Sequence, residues 1–349
     1  MQVSSPLKNA QFGCRVFPDM GSADFIRWCE THSEEFLDLF HFSGGLFVIN
    51  GLNEIITHPQ LLVRLSRIFG REVENYHETL TNENFFHDQV PEILVLSNNS
   101  KVNYGPPHKP SPELTVTGGF PIQYPHRQGW HTDQSYRRPP PDVSLLFGVS
   151  CPPLGQGQTL YADATSAYTA LDDETKCRIK DLEGYHALTR TGRSLEAVRR
   201  GDIPKKLLPH QQSQRHPLVR IHPVTGARSL YLCADEQMDW VIGPIVGLTP
   251  GADGEGGEII RSLMAHLTHP QFVYVHEWDE GDLVVADNRS LIHTATWFDS
   301  NRYIRELWRT TVMGNAGLEY ARDGKSWIPS EGLAAMAGLE ELFSSGADK

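Results

Sequence analysis

The sequence is poor in the features that mark several protein classes. Its five cysteines are odd in number, scattered and without a C-x-x-C pair. This argues against a disulfide framework and a thiolate zinc site, and favours free thiols in a reducing compartment. No apolar run approaches the length of a membrane span, and no apolar leader is visible near the start. We therefore expect a cytoplasmic protein with no membrane partner.

An excess of basic residues is also missing. The formal net charge is −12, whereas nucleic-acid-binding domains usually carry a basic surface. No nucleic-acid partner is expected, although a local basic pocket for a small anion is compatible with this charge. The sequence also lacks a G-x-G-x-x-G fingerprint, a βαβ alternation and internal repeats, which argues against a Rossmann fold.

What the chain does contain is a series of short strand patterns with helices before and among them. Nothing in the composition marks a boundary, so we predict a single domain over residues 1–349, with a core over about 44–314 and a peripheral tail over 315–349. Apolar periodicity predicts helices over about 22–42, 52–69, 166–182 and 258–267. Strands are predicted over 46–49, 92–97, 143–149, 159–162, 218–222, 229–232, 272–277, 282–286, 292–296 and 304–313.

This content predicts a mainly β fold with flanking helices (α+β), built on a jelly-roll or double-stranded β-helix core with helical insertions. Residues 185–218 are polar and basic and predict a loop with a short helix. Residues 99–128 are rich in Pro, Gly, Asn and Lys and predict a long loop. Such loops are functional or disordered in compact domains, so a substrate-covering lid and a plain surface excursion both stay open.

The chemistry begins in the stretch W-H-T-D-Q-S-Y. His131 and Asp133 are two residues apart, so on an extended strand they project from one face. An imidazole and a carboxylate suit a divalent iron, and His293, far downstream, is a candidate third ligand that would complete the set found in non-haem iron oxygenases. The H-x-D pattern alone is weak, because the chain has 16 histidines and chance surface pairs are common.

Two arginines make the pattern more specific. If residues 304–313 form a strand, Arg305, Leu307 and Arg309 share one face. Two arginines that face a barrel interior would be unfavourable unless an anion met them, and arginine suits bidentate binding of a carboxylate. An edge strand with both arginines in solvent is the alternative. Thr159, at a strand start after a glycine loop, could add a hydrogen bond to the same carboxylate.

The order of the motifs points to a known family. The chain contains, in sequence, W-H-T-D-Q-S-Y, P-P-x-x-S-L-L-x-G, G-Q-T-L-Y-A-D, H-P-V-T-G with S-L-Y-L, G-D-L-V-V-A-D-N-R with I-H-T-A-T, and R-x-L-W-R-T-T-V. This series resembles the taurine dioxygenase (TauD/TfdA) family of Fe(II)- and 2-oxoglutarate-dependent dioxygenases over about residues 44–314. Each motif is weak by itself, but the ordered combination is specific.

The resemblance implies roles for individual positions. His131, Asp133 and His293 match the iron ligands of the family, which makes them the catalytic centre. Thr159 and Arg305 match the residues that bind the far carboxylate of 2-oxoglutarate.

Two further positions follow from the same resemblance. Arg309 matches a second arginine, which in the family lies near the keto acid or grips an anionic substrate. Residues 287–289 match the W-D-N-R turn of the family, with Ala286 in place of the tryptophan, and we interpret this turn as structural support for the His293 strand.

Substrate recognition transfers less well. Taurine-specific members use a histidine before the strand matching 92–97, which His87 could supply, and an asparagine just before W-H-T-D, where this chain has Gln128 and Gly129. Taurine itself is therefore not expected. Four residues are candidates for the substrate pocket, each with packing or loop structure as the alternative role: His87, Tyr76, Asn98 and Tyr136.

The resemblance implies that Fe(II), 2-oxoglutarate and O2 act together to oxidise an unactivated C–H bond of a small anionic organic substrate, with release of succinate and CO2. Asp133 occupies the position that related halogenases leave open for halide, so we expect hydroxylation. Desaturation or cyclisation in a biosynthetic pathway would use the same residues. A metal hydrolase and a degenerate jelly-roll binding protein are the rival classes. The sequence leaves the oligomeric state open, and a homo-oligomer is compatible with it.

Overall fold

A computed structural model describes residues 2–79, 83–99, 129–250 and 253–327. The predicted loop over 99–128 lies almost wholly outside these residues, as does most of the predicted tail. The helices are α1 (Ser22–Thr31), α2 (Ser33–Phe42), α3 (Glu54–Thr57), α4 (Gln60–Phe69), α5 (Ala164–Ala170), α6 (Asp173–Ile179), α7 (Leu195–Arg200) and α8 (Glu255–Leu267).

The strands outnumber the helices in these described ranges. They are β1 (Gln2–Ser4), β2 (Cys14–Phe17), β3 (Leu46–Ile49), β4 (Glu72–Val73), β5 (Phe86–His87), β6 (Val90–Ser97), β7 (Val143–Ser150), β8 (Thr159–Asp163), β9 (Glu183–His186), β10 (Gln214–Pro217), β11 (Val219–Ile221), β12 (Arg228–Leu230), β13 (Val273–His276), β14 (Leu283–Asp287), β15 (Leu291–Ala295) and β16 (Glu306–Met313). The mixed α+β content matches the prediction.

The strands form one large and one small sheet, with two further two-stranded pairs, β9 with β10 and β11 with β12. The large sheet has the order β1-β2-β3-β14-β7-β16-β6-β5, and β4 adds to the end of β16. The small sheet has the order β13-β8-β15. Every described pairing in the two sheets is antiparallel except β2 with β3.

Apolar side chains on alternate positions of the central strands fill the space on both faces of the large sheet. Phe47 and Leu145 pack with helices α1, α2 and α4 in one cluster, whereas Val48, Leu146 and Leu307 join residues of the small sheet in another. Successive side chains along a strand point to opposite faces of the sheet, which divides these residues between the two clusters. The two sheets therefore face each other across a shared core, and helices α5 and α8 cover the outer side of the small sheet.

Three predicted helices are each interrupted. The helix predicted over 22–42 breaks at His32, whose backbone (φ −117°, ψ 35°) is not helical. The helix over 52–69 breaks before Pro59, because proline lacks the N–H that a helix interior requires. In the helix over 166–182, Asp172 accepts a hydrogen bond from the backbone of Thr175 and begins a new helix.

The region over 185–218 contains more regular structure than the predicted loop and short helix. Helix α7 is the short helix, but strands β9 and β10 also form and pair with each other. Their sequences, E-G-Y-H and Q-R-H-P, lack apolar alternation, so periodicity does not reveal them. Long-range packing selects the pairing: the imidazoles of His186 and His216 are fully buried with their rings 5.0 Å apart.

In the described ranges, every helix is too short or too polar to cross a lipid bilayer. The cytoplasmic location stays a prediction.

Candidate active site

The structure brings His131, Asp133 and His293 together. Their ligand atoms all lie within 4.8 Å of one another. Nε2 of His131 and Nε2 of His293 are each 3.9 Å from Asp133 Oδ1, and the two imidazole centroids are 4.4 Å apart. Two nitrogen donors and one carboxylate oxygen therefore converge on one point, an arrangement that can hold a divalent transition metal.

Backbone pairing explains how residues so distant in sequence meet. His293 lies in β15 of the small sheet, and His131 forms an isolated antiparallel bridge with it. The His131 N–H donates to the His293 carbonyl at 2.9 Å, and the His293 N–H donates to the His131 carbonyl at 2.7 Å. The side chain of His131 also donates from Nδ1 to the Gly129 carbonyl at 2.9 Å. This fixes the tautomer and leaves the Nε2 lone pair facing the cluster.

Burial keeps both imidazoles neutral. It lowers the pKa of His131 below its ordinary value and lowers the pKa of His293 to about 3, with the neighbouring imidazole adding to the second effect. A metal-binding histidine must be deprotonated at the donor nitrogen. The site therefore presents its histidines in the form that can bind a metal.

Asp133 stays ionised although it is buried. Burial acts to raise its pKa, but the cationic Arg309, together with the hydrogen bond from Ser144, outweighs burial, so the pKa lies below its ordinary range. Nη1 of Arg309 donates to Asp133 Oδ1 at 2.5 Å, and Ser144 Oγ donates to Asp133 Oδ2 at 2.7 Å. The carboxylate is thus held at both oxygens.

Arg305 and Thr159 form a second polar group in the same cavity. Nη2 of Arg305 donates to Thr159 Oγ1 at 3.2 Å, and its Nε donates to the Gly157 carbonyl at 2.9 Å. Gly157 has a φ of +62°, and a Cβ there would lie 3.0 Å from Arg305 Cδ. Only glycine fits this close approach without strain. The indole N–H of Trp278 also donates to Thr159 Oγ1, at 2.9 Å.

The three candidate ligands, Thr159 and both arginines border one cavity of about 410 Å³ between the two sheets. Arg305 and Arg309 both line it, as predicted from their spacing of four residues. Arg305 lies one residue before β16, however, and a bulge follows Glu306. The volume suits a small organic molecule together with a dicarboxylate. The three candidate metal ligands and the Arg305–Thr159 pair therefore share one cavity.

A family model described as "Taurine catabolism dioxygenase TauD, TfdA family" matches residues 5–311. The chain belongs to this dioxygenase family. It is 35% identical over 319 residues to pentalenolactone F synthase of Streptomyces arenae, covering 87% of this chain and 92% of that protein. The family resemblance drawn from the ordered motifs is confirmed.

A second relative matches over a shorter stretch. The (S)-phenoxypropionate/alpha-ketoglutarate-dioxygenase of Sphingobium herbicidovorans is 32% identical over 198 residues, which span 55% of this chain and 64% of that relative. Among solved structures, AAD-2 in complex with Mn(II) and N-oxalylglycine is 25% identical, with a TM-score of 0.65, and the match covers 90% of this chain and 98% of that one. A taurine dioxygenase from Burkholderia xenovorans has a TM-score of 0.58 at 23% identity, covering 94% of this chain and 95% of that one, which shows the likeness of fold.

The four candidates for substrate contact divide into two pairs in this TauD/TfdA chain. Asn98 and Tyr136 line the cavity, whereas Tyr76 and His87 are not among its lining residues. The Tyr76 hydroxyl packs beside Thr311 Oγ1 at 3.1 Å, and its side chain is 1% exposed. His87 packs edge-on against Trp308, with ring centroids 4.9 Å apart. For Tyr76 and His87, packing is therefore the better interpretation.

Asn98 also has a clear structural role. Its side-chain oxygen accepts from the Arg305 N–H at 2.8 Å, and its Nδ2 donates to the carbonyls of Ser300 and Tyr303. These bonds hold the segment that leads into β16. Asn98 therefore fixes the position of Arg305 and borders the cavity at the same time.

Sequence reasoning missed most of the remaining cavity wall. Part of it comes from the segment around β9 and from the residues after β12, and part from β6 and the segment after β15. These residues are Phe85, Leu94, Val95, Leu96, Ser97, Gln134, Leu146, Thr189, Arg190, Glu236, Gln237, Ala295 and Phe298. Two of these residues, Gln134 and Arg190, have a positive φ of 51° and 61°, which is unusual for residues other than glycine. This is a property of the folded backbone, so the sequence carries no local signal for it.

A second group of possible ligands, His41, His222 and Asp287, lies elsewhere in the chain. The Asp287 carboxylate accepts from Arg289 Nε at 2.8 Å and from Arg289 Nη2 at 2.7 Å. Nδ1 of His222 accepts backbone N–H groups, so its Nε2 carries the proton donated to Asp287 at 2.9 Å. Both Asp287 oxygens and the His222 imidazole are thus engaged in hydrogen bonds. These three residues are therefore better described as an ion-pair network that fixes the D-N-R turn between β14 and β15.

Proposed function

We propose that Fe(II) binds to Nε2 of His131, Nε2 of His293 and the carboxylate of Asp133. The convergence of these three donors on one point beside the cavity carries the proposal. The neutral imidazoles and the ionised carboxylate fit a divalent metal. When bound, Fe(II) supplies the means to activate O2 at the expense of 2-oxoglutarate.

We propose that Arg305 and Thr159 bind the far carboxylate of 2-oxoglutarate. A guanidinium and a hydroxyl 3.2 Å apart on the cavity wall match the oxygens of a carboxylate. The bonds from Arg305 Nε to Gly157 and from its backbone to Asn98 leave the guanidinium little freedom, so little entropy is lost when the anion binds. The solved relative AAD-2 in complex with Mn(II) and N-oxalylglycine supports this proposal, because N-oxalylglycine differs from 2-oxoglutarate only by N–H in place of a methylene.

The reaction that follows is oxidation of a C–H bond in a small anionic organic substrate. One oxygen atom of O2 enters succinate as CO2 is released, and the other enters the substrate as a hydroxyl group. The relatives named for phenoxypropionate and for sulfate esters support an anionic substrate. The chain's own part is to orient that bond and to exclude water, and Leu94, Leu96 and Phe298 supply apolar surface for this.

A biosynthetic oxidation, such as desaturation or cyclisation, is the second candidate. The similarity to pentalenolactone F synthase over 87% of the chain favours it. The same metal ligands and arginines would serve, so the outcome depends on which substrate atom is presented to the metal. The two arginines on the cavity wall argue against a metal hydrolase, and the intact ligand set argues against a degenerate binding protein.

We further propose that the two facing sheets form a double-stranded β-helix core within one domain. The small sheet stacks on the large one, and the turn over 287–290 carries the chain from β14 in the large sheet to β15 in the small sheet. His293 belongs to the small sheet and Arg309 to the large sheet, and both line one cavity, which supports this proposal.

The test is anaerobic addition of Fe(II) and 2-oxoglutarate to the full chain. A visible charge-transfer band is expected, and it should be absent from His131→Ala. Screening small organic acids for substrate-stimulated succinate release then identifies the substrate class. Absence of a band from the parent protein, or its persistence in His131→Ala, would contradict the proposed centre.

A further inference from the structure

The two oxygens of Asp133 have different partners. Oδ1 lies 3.9 Å from Nε2 of each imidazole and accepts from Arg309. Oδ2 accepts from Ser144 Oγ at 2.7 Å. Because Asp133 is 2% exposed and Ser144 is 1% exposed, water does not compete for this bond. Ser144 therefore distinguishes one oxygen of the carboxylate from the other.

Asn288 fixes the direction in which Ser144 donates. Its Nδ2 donates to Ser144 Oγ at 3.0 Å. An amide nitrogen can only donate and an ionised carboxylate can only accept, so the Ser144 proton must point to Asp133. The bond to a charged acceptor is also stronger than one between neutral groups. The three residues thus form a chain of donors that runs one way, from Asn288 through Ser144 to Asp133.

Asn288 is itself held at two points of its backbone. Its N–H donates to the Asp142 carbonyl at 2.8 Å, and its carbonyl accepts from Thr132 Oγ1 at 2.9 Å. Thr132 directly precedes Asp133 in the chain. Asn288 therefore contacts the ligand segment through its backbone and the ligand carboxylate through Ser144, so the turn and the metal-ligand segment are fixed relative to each other.

We propose that Ser144 and Asn288 are positioning residues of the metal centre: Asn288 orients the Ser144 hydroxyl, which holds Asp133 with Oδ1 toward the two imidazoles. This rests on the proposed metal site and assigns the D-N-R turn a role beyond support of the His293 strand. Without the Ser144 hydroxyl the carboxylate can rotate, and Oδ2 can turn toward the metal as well. Partners that orient ligands in this way typically contribute 10- to 100-fold to metal affinity.

The test is Mn(II) binding to the full chain, measured by calorimetry. We expect Ser144→Ala to bind Mn(II) about 10- to 100-fold more weakly than the parent protein. Asn288→Ala should also bind more weakly. The double variant should bind no more weakly than Ser144→Ala, because Asn288 acts through Ser144 and the two effects are not additive. The absorption spectrum of the Co(II)-loaded Ser144→Ala protein should also differ from that of the parent, since the oxygens facing the metal change.

Ser66→Ala is the matched control. Ser66 is also fully buried, and its hydroxyl bonds with the Leu62 carbonyl at 2.7 Å and with Thr310 Oγ1 at 2.6 Å, on the helix-covered face of the large sheet. Its removal deletes an equivalent hydroxyl on the face of the large sheet opposite to Arg309 and should leave Mn(II) affinity unchanged. Equal affinities in Ser144→Ala and the parent, or equal losses in Ser144→Ala and Ser66→Ala, would overturn this inference but not the proposed metal site. A parent protein that binds no divalent metal would overturn the proposed centre as well.

Discussion

Nη1 of Arg309 lies 2.5 Å from Asp133 Oδ1, the same oxygen that faces both imidazoles. The proposed metal ligand therefore positions the second arginine of the cavity. The Nε of Arg309 has no hydrogen-bond acceptor within the described part of the chain. A buried donor of this kind is unfavourable without a partner.

Replacing Arg309 should weaken metal binding as well as turnover. In Arg309→Gln the carboxylate of Asp133 loses the hydrogen bond that orients it, and we expect Mn(II) affinity to fall about 10- to 100-fold. Calorimetric titration measures this directly. Arg302→Gln, which removes an exposed arginine in the segment before β16, should bind Mn(II) like the parent. An unchanged affinity in Arg309→Gln would mean that the pair with Asp133 does not support the centre.

Replacing Arg305 should instead weaken the binding of 2-oxoglutarate. Arg305→Gln removes one partner of a charge pair with the cosubstrate, and losses of about 2–5 kcal/mol correspond to a rise of at least about 30-fold in the KM for 2-oxoglutarate. Mn(II) affinity without 2-oxoglutarate should change little. Steady-state kinetics with 2-oxoglutarate as the varied component provides the measurement. If the KM stays at the parent value, Arg305 is not the carboxylate clamp.

The residues proposed to bind the metal and the anion could be identified from the sequence because their spacing is local or their motif is specific. Strand periodicity predicts that His131 and Asp133 share a face, and both do reach the site, although His131 forms only an isolated bridge and Asp133 lies in a turn. Arg305 and Arg309 both line the cavity, although Arg305 precedes β16 and a bulge follows Glu306. The sequence does not predict that Arg309 contacts Asp133 as well as the cavity. The contact depends on the distance between β16 and the segment after Gly129, which only tertiary packing sets.

The cavity wall shows the limit of sequence reasoning more clearly. Thr189 and Gln237 reach the cavity because β9 pairs with β10 and because His186 forms a bridge with Met238. Those strands are polar, so no period-two pattern marks them. The helix breaks were missed for a different reason. Apolar periodicity continues across residues such as His32, but the backbone dihedral angles there are not helical.

The buried ion pair of Glu74 with Arg137 predicts a large loss of stability when one partner is removed. Nη1 of Arg137 donates to Glu74 Oε1 at 2.6 Å, and Gln134 Nε2 donates to Glu74 Oε2 at 2.9 Å. Arg137→Met leaves a buried carboxylate without its cation, which should reduce the free energy of unfolding by about 3–5 kcal/mol. Urea unfolding measures this loss.

An exposed pair provides the comparison for that measurement. Arg200→Met removes the exposed partner of Glu196 and Asp202 and should leave the free energy of unfolding nearly unchanged, because exposed ion pairs contribute little. The double variant Glu74→Leu/Arg137→Met should recover part of the loss seen in Arg137→Met, because no charge is left unpaired. Equal losses in Arg137→Met and Arg200→Met would contradict the role assigned to the buried pair.

Buried neutral histidines predict that the fold loses stability in mild acid. Burial lowers the pKa of His186 to about 3, from an ordinary value of 6.5. Between these values the unfolded chain binds a proton at this position and the folded chain does not. The stabilising contribution is therefore complete above pH 6.5 and is lost as the pH falls toward 3. For one residue the loss is about 1.4 kcal/mol at one pH unit below 6.5.

His186→Phe keeps an aromatic ring beside His216 and Tyr231 but cannot bind the proton. The fall in the free energy of unfolding between pH 7.5 and pH 5.5, measured in urea, should be smaller in this variant than in the parent by about 1.4 kcal/mol. His58→Gln, at an exposed position, should retain the full fall. Because the buried His41 and His276 have pKa values lowered in the same direction, His186→Phe should flatten the pH dependence only in part. A pH dependence identical to that of the parent would mean that His186 is protonated in the folded state.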